Sequence, residues 1–270
     1  MSFHAQLQRS WEAADSSLCV GIDPDPARFP KPLDTGHDAA FRFCREIVDA
    51  TADLVCAFKP QIAYFASQRE ESALERLCTY IRETYPDVTL VLDAKRGDIG
   101  STAEHYAREA FGRYAAHAVT VNPYLGTDSV APYFAHEGGV IALCRTSNPG
   151  GDDLQSLDCG GRPLYLRVAE MVAGQWAQHG DCGLVVGATY PDELRRVRET
   201  VGQLPILVPG IGAQGGDPIA AVAAGATADG RGLLISSSRA IIYASAGDDF
   251  ALAARAAAIA ARDAMRPPAG

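Results

Sequence analysis

What this chain has little of narrows its function before any motif is read. It has no excess of positive charge: 24 Lys and Arg against 33 Asp and Glu leave a formal charge of -9. That argues against nucleic acid or anionic membrane as a partner held by bulk electrostatics, so any anionic ligand must be gripped by local groups. It has no Cys-x-x-Cys pair. Its seven cysteines, Cys19, Cys44, Cys56, Cys78, Cys144, Cys159 and Cys182, are scattered, several inside apolar strand-like runs. They read as reduced core residues of a cytoplasmic protein rather than a disulfide framework or a zinc site. The six histidines (His4, His37, His105, His117, His136, His179) show no ligand spacing, so no structural metal is expected. A membrane span is missing too: the Ala-rich stretch DDFALAARAAAIAARDAM is interrupted by Arg and Asp and reads as a soluble helix. MSFHAQLQRSWEAADS lacks the basic flank, apolar core and small-residue cleavage site of a secretory signal and reads as a short amphipathic helix.

What is present is a recurring pattern. Strand-like runs fall at SLCVGID (Ser17 to Asp23), VCAFKP (Val55 to Pro60), VTLVLDA (from Val88), AVTVN (Ala118 to Asn122), GVIALCR (Gly139 to Arg145), CGLVVG (Cys182 to Gly187), PILVPG (Pro205 to Gly210) and GLLISSS (Gly232 to Ser238). Helical stretches fill the gaps. Eight buried strands alternating with helices predict an α/β fold, a closed (β/α)8 TIM barrel, with an open doubly wound sheet as the alternative. The length of 270 residues suits one barrel domain over 1–270, with an N-terminal helical extension and the Ala-rich C-terminal helix. The residues ending the runs are unusually polar: Asp23, Lys59, Asp93, Lys95 and Asn122, with Ser147 and Arg239 just beyond. Only a barrel brings all eight ends around one mouth, where such folds place their active sites. The longest stretch without periodicity, SNPGGDDLQSLDCGGRP after strand five, fits an exposed loop or a lid.

The chemistry concentrates in Val88 to Thr102. Asp93 and Lys95, two apart on a strand, point to one side, and Asp98 follows in the next turn. Gly97 and Gly100 allow a tight loop, and Ser101 with Glu104 matches a capping box opening the next helix. Carboxylates around one lysine at a buried strand end are costly to assemble, which leaves two readings: an ion-pair cluster closing the barrel, or a catalytic Asp-Lys-Asp chain. In the second, flanking negative charge favours the ammonium form of Lys95, ready to deliver a proton. After strand seven, VPGIGAQGGDP (Val208 to Pro218) carries four glycines into a helix start, and Ser236, Ser237, Ser238 and Arg239 follow strand eight. Free amides and a forked cation at that place in a barrel fit a phosphate.

The string LDAKRGDIGSTAEHYA resembles the D-x-K-x-x-D-[IA]-x-x-T signature of the orotidine 5'-phosphate decarboxylase family, and the wording KRGDIGSTA resembles its longer bacterial branch, often called type 2. PGIGAQGGDP followed by SSRAIIY is similar to that family's phosphate grip. The resemblance implies Pro209, Gln214 and Arg239 at the 5'-phosphate end, Asp23 and Lys59 on the ribose, and Ser147 on the pyrimidine amide. It implies Asp93, Lys95 and Asp98 as the charged network, with no metal and no organic cofactor. It further implies a homodimer in which Asp98 and Thr102 reach the partner's site, acting on orotidine 5'-monophosphate in UMP biosynthesis. The N-terminal extension, NPYLGTDS and the loop after strand five depart from the family pattern. Other readings of the residues remain: a Schiff-base aldolase using Lys95, a related magnesium-dependent sugar-phosphate enzyme, and a catalytically silent phosphate-binding barrel.

Overall fold

The computed structural model describes residues 1–31, 33, 36, 38–211 and 216–266. Its eight strands are β1 (Leu18–Ile22), β2 (Ala57–Pro60), β3 (Thr89–Arg96), β4 (Ala118–Val121), β5 (Gly139–Arg145), β6 (Cys182–Val186), β7 (Ile206–Val208) and β8 (Leu233–Ser237). Each pairs in parallel with the next, and β8 returns to β1, closing the barrel. The closed form is selected over the open sheet because most strands are predominantly apolar and buried on both faces. β1, β2, β4, β6, β7 and β8 are buried along their whole length. An open sheet would leave edge strands with that composition in water.

Alternation along the strands divides the apolar residues into two cores. Outward-facing side chains such as Val20, Phe58, Leu90, Leu92 and Val119 pack against the surrounding helices. Inside, one residue from every strand forms an apolar layer: Cys19, Ala57, Val91, Ala118, Ile141, Val185, Leu207 and Leu234. Below this layer the barrel's N-terminal end is closed by α1 (Phe3–Ala14), whose first turn is capped by Ser2. Phe3, Leu7 and Trp11, four residues apart, form one stripe of α1 and join the interior layer. Trp11 donates its indole N–H to the Leu233 carbonyl at 2.9 Å, and Ser10 bonds Thr89 hydroxyl to hydroxyl at 2.8 Å. A Cβ added at Gly139 would stand 2.4 Å from the Phe3 ring, so the missing side chain there makes room for the plug.

Two further buried groups hold this end. His117, just before β4, accepts the Leu90 N–H on Nδ1 at 2.9 Å. Burial pushes its pKa down to about 3, so the imidazole is neutral and able to accept. Arg198 donates to the carbonyls of Gly225, Gly202, Leu204 and Gly232 at 2.6 to 2.8 Å, tying its helix to the entry of β7 and β8.

The segment after β5 is drawn onto the barrel. Arg145, buried at the end of β5, donates to Asp152 and Glu193 and stacks over Tyr190. Gln155 accepts from the Thr146 N–H at 2.8 Å, and Asp158 pairs with Pro163 in an antiparallel bridge. One local expectation fails. The helix after β3 begins at Gly100 with Ile99 in the N-cap position and no side-chain cap, so Ser101 and Glu104 form no capping box. The chain enters the helix two residues early, which places Ser101 inside the first turn, where its hydroxyl cannot take the capping geometry.

Among the described residues no helix is long and apolar enough to cross a membrane, and all seven cysteines are free, six of them buried.

Candidate active site

Two positions beyond the apolar interior layer, on the same strand faces, the barrel lining changes character. On β2, β3 and β4 those positions are Lys59, Asp93 and Thr120, all buried. Asp93 is the centre. Lys59 Nζ donates to its Oδ2 at 2.8 Å, Lys95 Nζ to its Oδ1 at 2.6 Å, and the Thr120 hydroxyl also to Oδ1 at 2.9 Å. Burial alone would raise the Asp93 pKa, but the two ammonium groups and their hydrogen bonds hold it well below the usual carboxylate range. For Lys59 burial works toward the neutral amine, and Asp93 together with Asp23 reverses this and holds its pKa above the ordinary lysine value. Lys59 and Asp93 are nearly sealed from solvent, whereas the Lys95 side chain is 46% exposed, facing the mouth.

The backbone that presents Lys95 is irregular. From Leu92 to Arg96, β3 advances four positions while β4 advances two, from Val119 to Val121. Lys95 sits in this bulge in the left-handed region, with φ of 46°. Arg96 then turns away and binds Glu109 through Nε and Nη2, over the Tyr106 ring.

The other expected site residues lie around the same mouth. Asp23 follows β1, and its Oδ1 is buried without a hydrogen-bond partner, an acceptor left open beside the cluster. The Asp23 carbonyl accepts from Tyr243 Oη at 2.9 Å, which fixes that turn. Ser147 follows β5 and packs on Gly187 at the end of β6; a Cβ on Gly187 would come within 2.8 Å of the Ser147 Cβ. Pro209 follows β7, and its carbonyl accepts the Ala188 N–H at 3.0 Å. Arg239 opens a short helix (Arg239–Ile242) directly after β8, exposed at the rim. A Cβ at Gly21 would fall 1.8 Å from Ser238 Oγ, so glycine on β1 is what lets the chain pass there. Gln214 lies outside the described residues.

The expected Asp-Lys-Asp chain is not what one chain assembles. Asp98 lies past the turn and its carboxylate accepts the Ile99 N–H at 2.9 Å, with no ion pair to Lys95. Thr102 is exposed on the following helix. The second partner of Asp93 is Lys59, expected on the ribose, so the cluster within the chain is Lys59–Asp93–Lys95. Thr120 was missed altogether. Its signal was a hydroxyl at an inward-facing position of the otherwise aliphatic AVTV, two residues from Ala118 of the dry layer.

The fold is a (β/α)8 barrel, and the cluster of two lysines and a carboxylate lies toward the C-terminal ends of its strands, where enzymes of this fold place their active sites. The model of the Orotidine 5'-phosphate decarboxylase / HUMPS family matches residues 16–255. The chain is 63% identical over 264 residues to the orotidine 5'-phosphate decarboxylase of Ralstonia nicotianae, covering 97% of each chain. It is 63% identical over 266 residues to that of an Azoarcus species, covering 98% of each. Among solved structures, the Leishmania donovani OMP decarboxylase superimposes with a TM-score of 0.82 at 38% identity, covering 97% of this chain and 99% of the other. The chain therefore belongs to the orotidine 5'-phosphate decarboxylase family.

Proposed function

We propose that this chain converts orotidine 5'-monophosphate to uridine 5'-monophosphate and carbon dioxide, a step of UMP biosynthesis, with Lys95 as proton donor. The observation that carries this reading is the Lys59–Asp93–Lys95 cluster, which holds a half-exposed ammonium at the mouth on a buried, ionised carboxylate. In the reaction the bond from C6 of the pyrimidine to its carboxylate breaks, CO2 leaves, and the electron pair stays on C6. That pair lies in the ring plane and cannot delocalise into the π system, so it must be stabilised electrostatically. The Lys95 ammonium faces the developing charge and then transfers one proton to C6, forming the C–H bond of the product. Lysine and carboxylate supply this without metal or organic cofactor.

The remaining residues bind substrate in this reading. The open Oδ1 of Asp23 accepts a ribose hydroxyl beside Lys59, Ser147 reads the pyrimidine amide, and Pro209, Gln214 and Arg239 serve the phosphate end. Phosphate binding remote from C6 supplies energy used at the reacting carbon. Asp98, which accepts the Ile99 N–H, and Thr102, exposed on the following helix, serve the neighbouring site of a homodimer. Ile99, Tyr124, Leu125, Leu154 and Leu157, exposed apolar residues on the turns after β3, β4 and β5, support such an interface. The whole chain acts as one barrel domain, and its free thiols suit a cytoplasmic protein.

The test is ultraviolet spectroscopy of the purified, EDTA-treated protein mixed with orotidine 5'-monophosphate. Catalytic conversion that disappears in Lys95→Ala supports both the reaction and the donor; a folded sample that converts nothing overturns the assignment.

A further inference from the structure

We propose that Thr120 is a positioning residue for the reaction: its hydroxyl locks the β3 bulge so that Lys95 is aimed from a left-handed backbone toward the substrate. This rests on the reading of Lys95 as the proton donor. Thr120 is 1% exposed on β4, and its Oγ1 makes three contacts at once. It accepts the N–H of Ala94 and the N–H of Lys95, each at 3.0 Å, and donates to Asp93 Oδ1 at 2.9 Å. A hydroxyl has one proton and two lone pairs, so these three bonds use its whole capacity. No lone pair or proton remains for a ligand, which makes Thr120 a support of the cluster rather than a binding group.

The three bonds act on one problem. In a regular parallel ladder the amides of Ala94 and Lys95 would meet strand carbonyls, but the extra backbone between Leu92 and Arg96 takes them out of register with β4. Thr120 supplies the acceptor that the ladder cannot. Lys95 has φ of 46°, a conformation unfavourable for a residue with a β-carbon unless its surroundings impose it. The same hydroxyl fixes Asp93 Oδ1, the atom that Lys95 Nζ binds at 2.6 Å. Backbone and ammonium of Lys95 are thus referred to one oxygen. Valine at 120 would fill nearly the same volume and abolish all three bonds. Serine would keep them.

The test measures kcat and KM for orotidine 5'-monophosphate, with product UMP binding, in Thr120→Val, Thr120→Ala, Thr120→Ser and Lys95→Ala. Misplacing a catalytic group by about 1 Å costs on the order of 100-fold in rate. Thr120→Val and Thr120→Ala are therefore expected to lose roughly 100-fold in kcat, with KM and UMP affinity within about threefold of the parent, while Thr120→Ser stays within about threefold in kcat. Val and Ala together guard against one of them failing to fold. Parental kcat in the folded Val or Ala variant overturns the proposal, as does a Ser variant as slow as Val, or a loss confined to KM. If those outcomes occur while Lys95→Ala is inactive, the positioning role fails and the donor stands. Near-parental turnover in Lys95→Ala removes the donor reading itself.

Discussion

The two ends of the barrel interior are built on neighbouring positions of the same strands with opposite chemistry. Ala57, Val91 and Ala118 belong to a dry layer sealed from below by Phe3, Leu7 and Trp11; two residues on, Lys59, Asp93 and Thr120 hold ions. Burying an ion pair carries a desolvation penalty that its mutual attraction does not reliably offset, whereas apolar burial is favourable throughout. The contrast teaches a division of labour: the plugged end stabilises the fold, and the charged end, costly to bury, is accounted for by the chemistry proposed for it.

The sharpest way to break that division is Lys95→Ala. It is expected to lower kcat by at least about 10³-fold while leaving the melting temperature close to the parent's, because the removed ammonium is half exposed. Stopped assays and a thermal melt on one sample check both halves; near-normal turnover would make the mouth merely structural. The mirror experiment is Leu7→Ala in the plug. It should cost about 2–5 kcal/mol of stability by urea unfolding, with kcat preserved below the melting range. A large loss of kcat in the folded variant would show that the two ends are not separable.

A smaller effect is expected at the rim. If Arg239 grips phosphate, Arg239→Ala removes a charge-assisted contact of about 2 kcal/mol, roughly 30-fold in kcat/KM. Unchanged saturation kinetics would take the phosphate assignment from it. The last effect is on stability against pH rather than on turnover and concerns His117, the neutral counterpart at the plugged end to the ions at the mouth. Its folded pKa is pushed down to about 3, so between that value and the ordinary histidine range the unfolded chain binds a proton that the folded chain refuses. Its contribution is present in full above the unfolded value and is lost as pH falls, by up to about 1.4 kcal/mol per pH unit. Urea midpoints across that window should fall with acid in the parent and fall less in His117→Gln; parallel curves would exclude His117 as the cause.

Much of this was legible in order along the chain. The eight strands fall where their aliphatic runs stand, and the polar ends of those runs do gather at one mouth, because strand periodicity and barrel closure together fix which side chains meet. Asp23, Ser147, Pro209 and Arg239 follow a strand, and Lys59, Asp93 and Lys95 lie in the C-terminal half of one. Pairing was harder to read. Asp98 stands near Lys95 in sequence, yet within one chain a turn intervenes, whereas Lys59, distant in sequence, lies on the adjacent strand and reaches Asp93. Ser101 and Glu104 match a capping spacing, but the helix starts two residues too soon for it.

The sequence by itself determined the alternation of buried strands and helices, the family, and the place where charge would collect, since these follow from local periodicity and from a motif within one stretch. Only the tertiary structure decided who pairs with whom: that Asp93 is shared between Lys59 and Lys95, that Thr120 holds the bulge beneath them, and that α1 plugs the opposite end. The physical reason is that hydrogen bonds and ion pairs act over about 3 Å between atoms on different strands. Register shifts and a left-handed backbone at Lys95, set by the closed barrel as a whole, determine which atoms come that close.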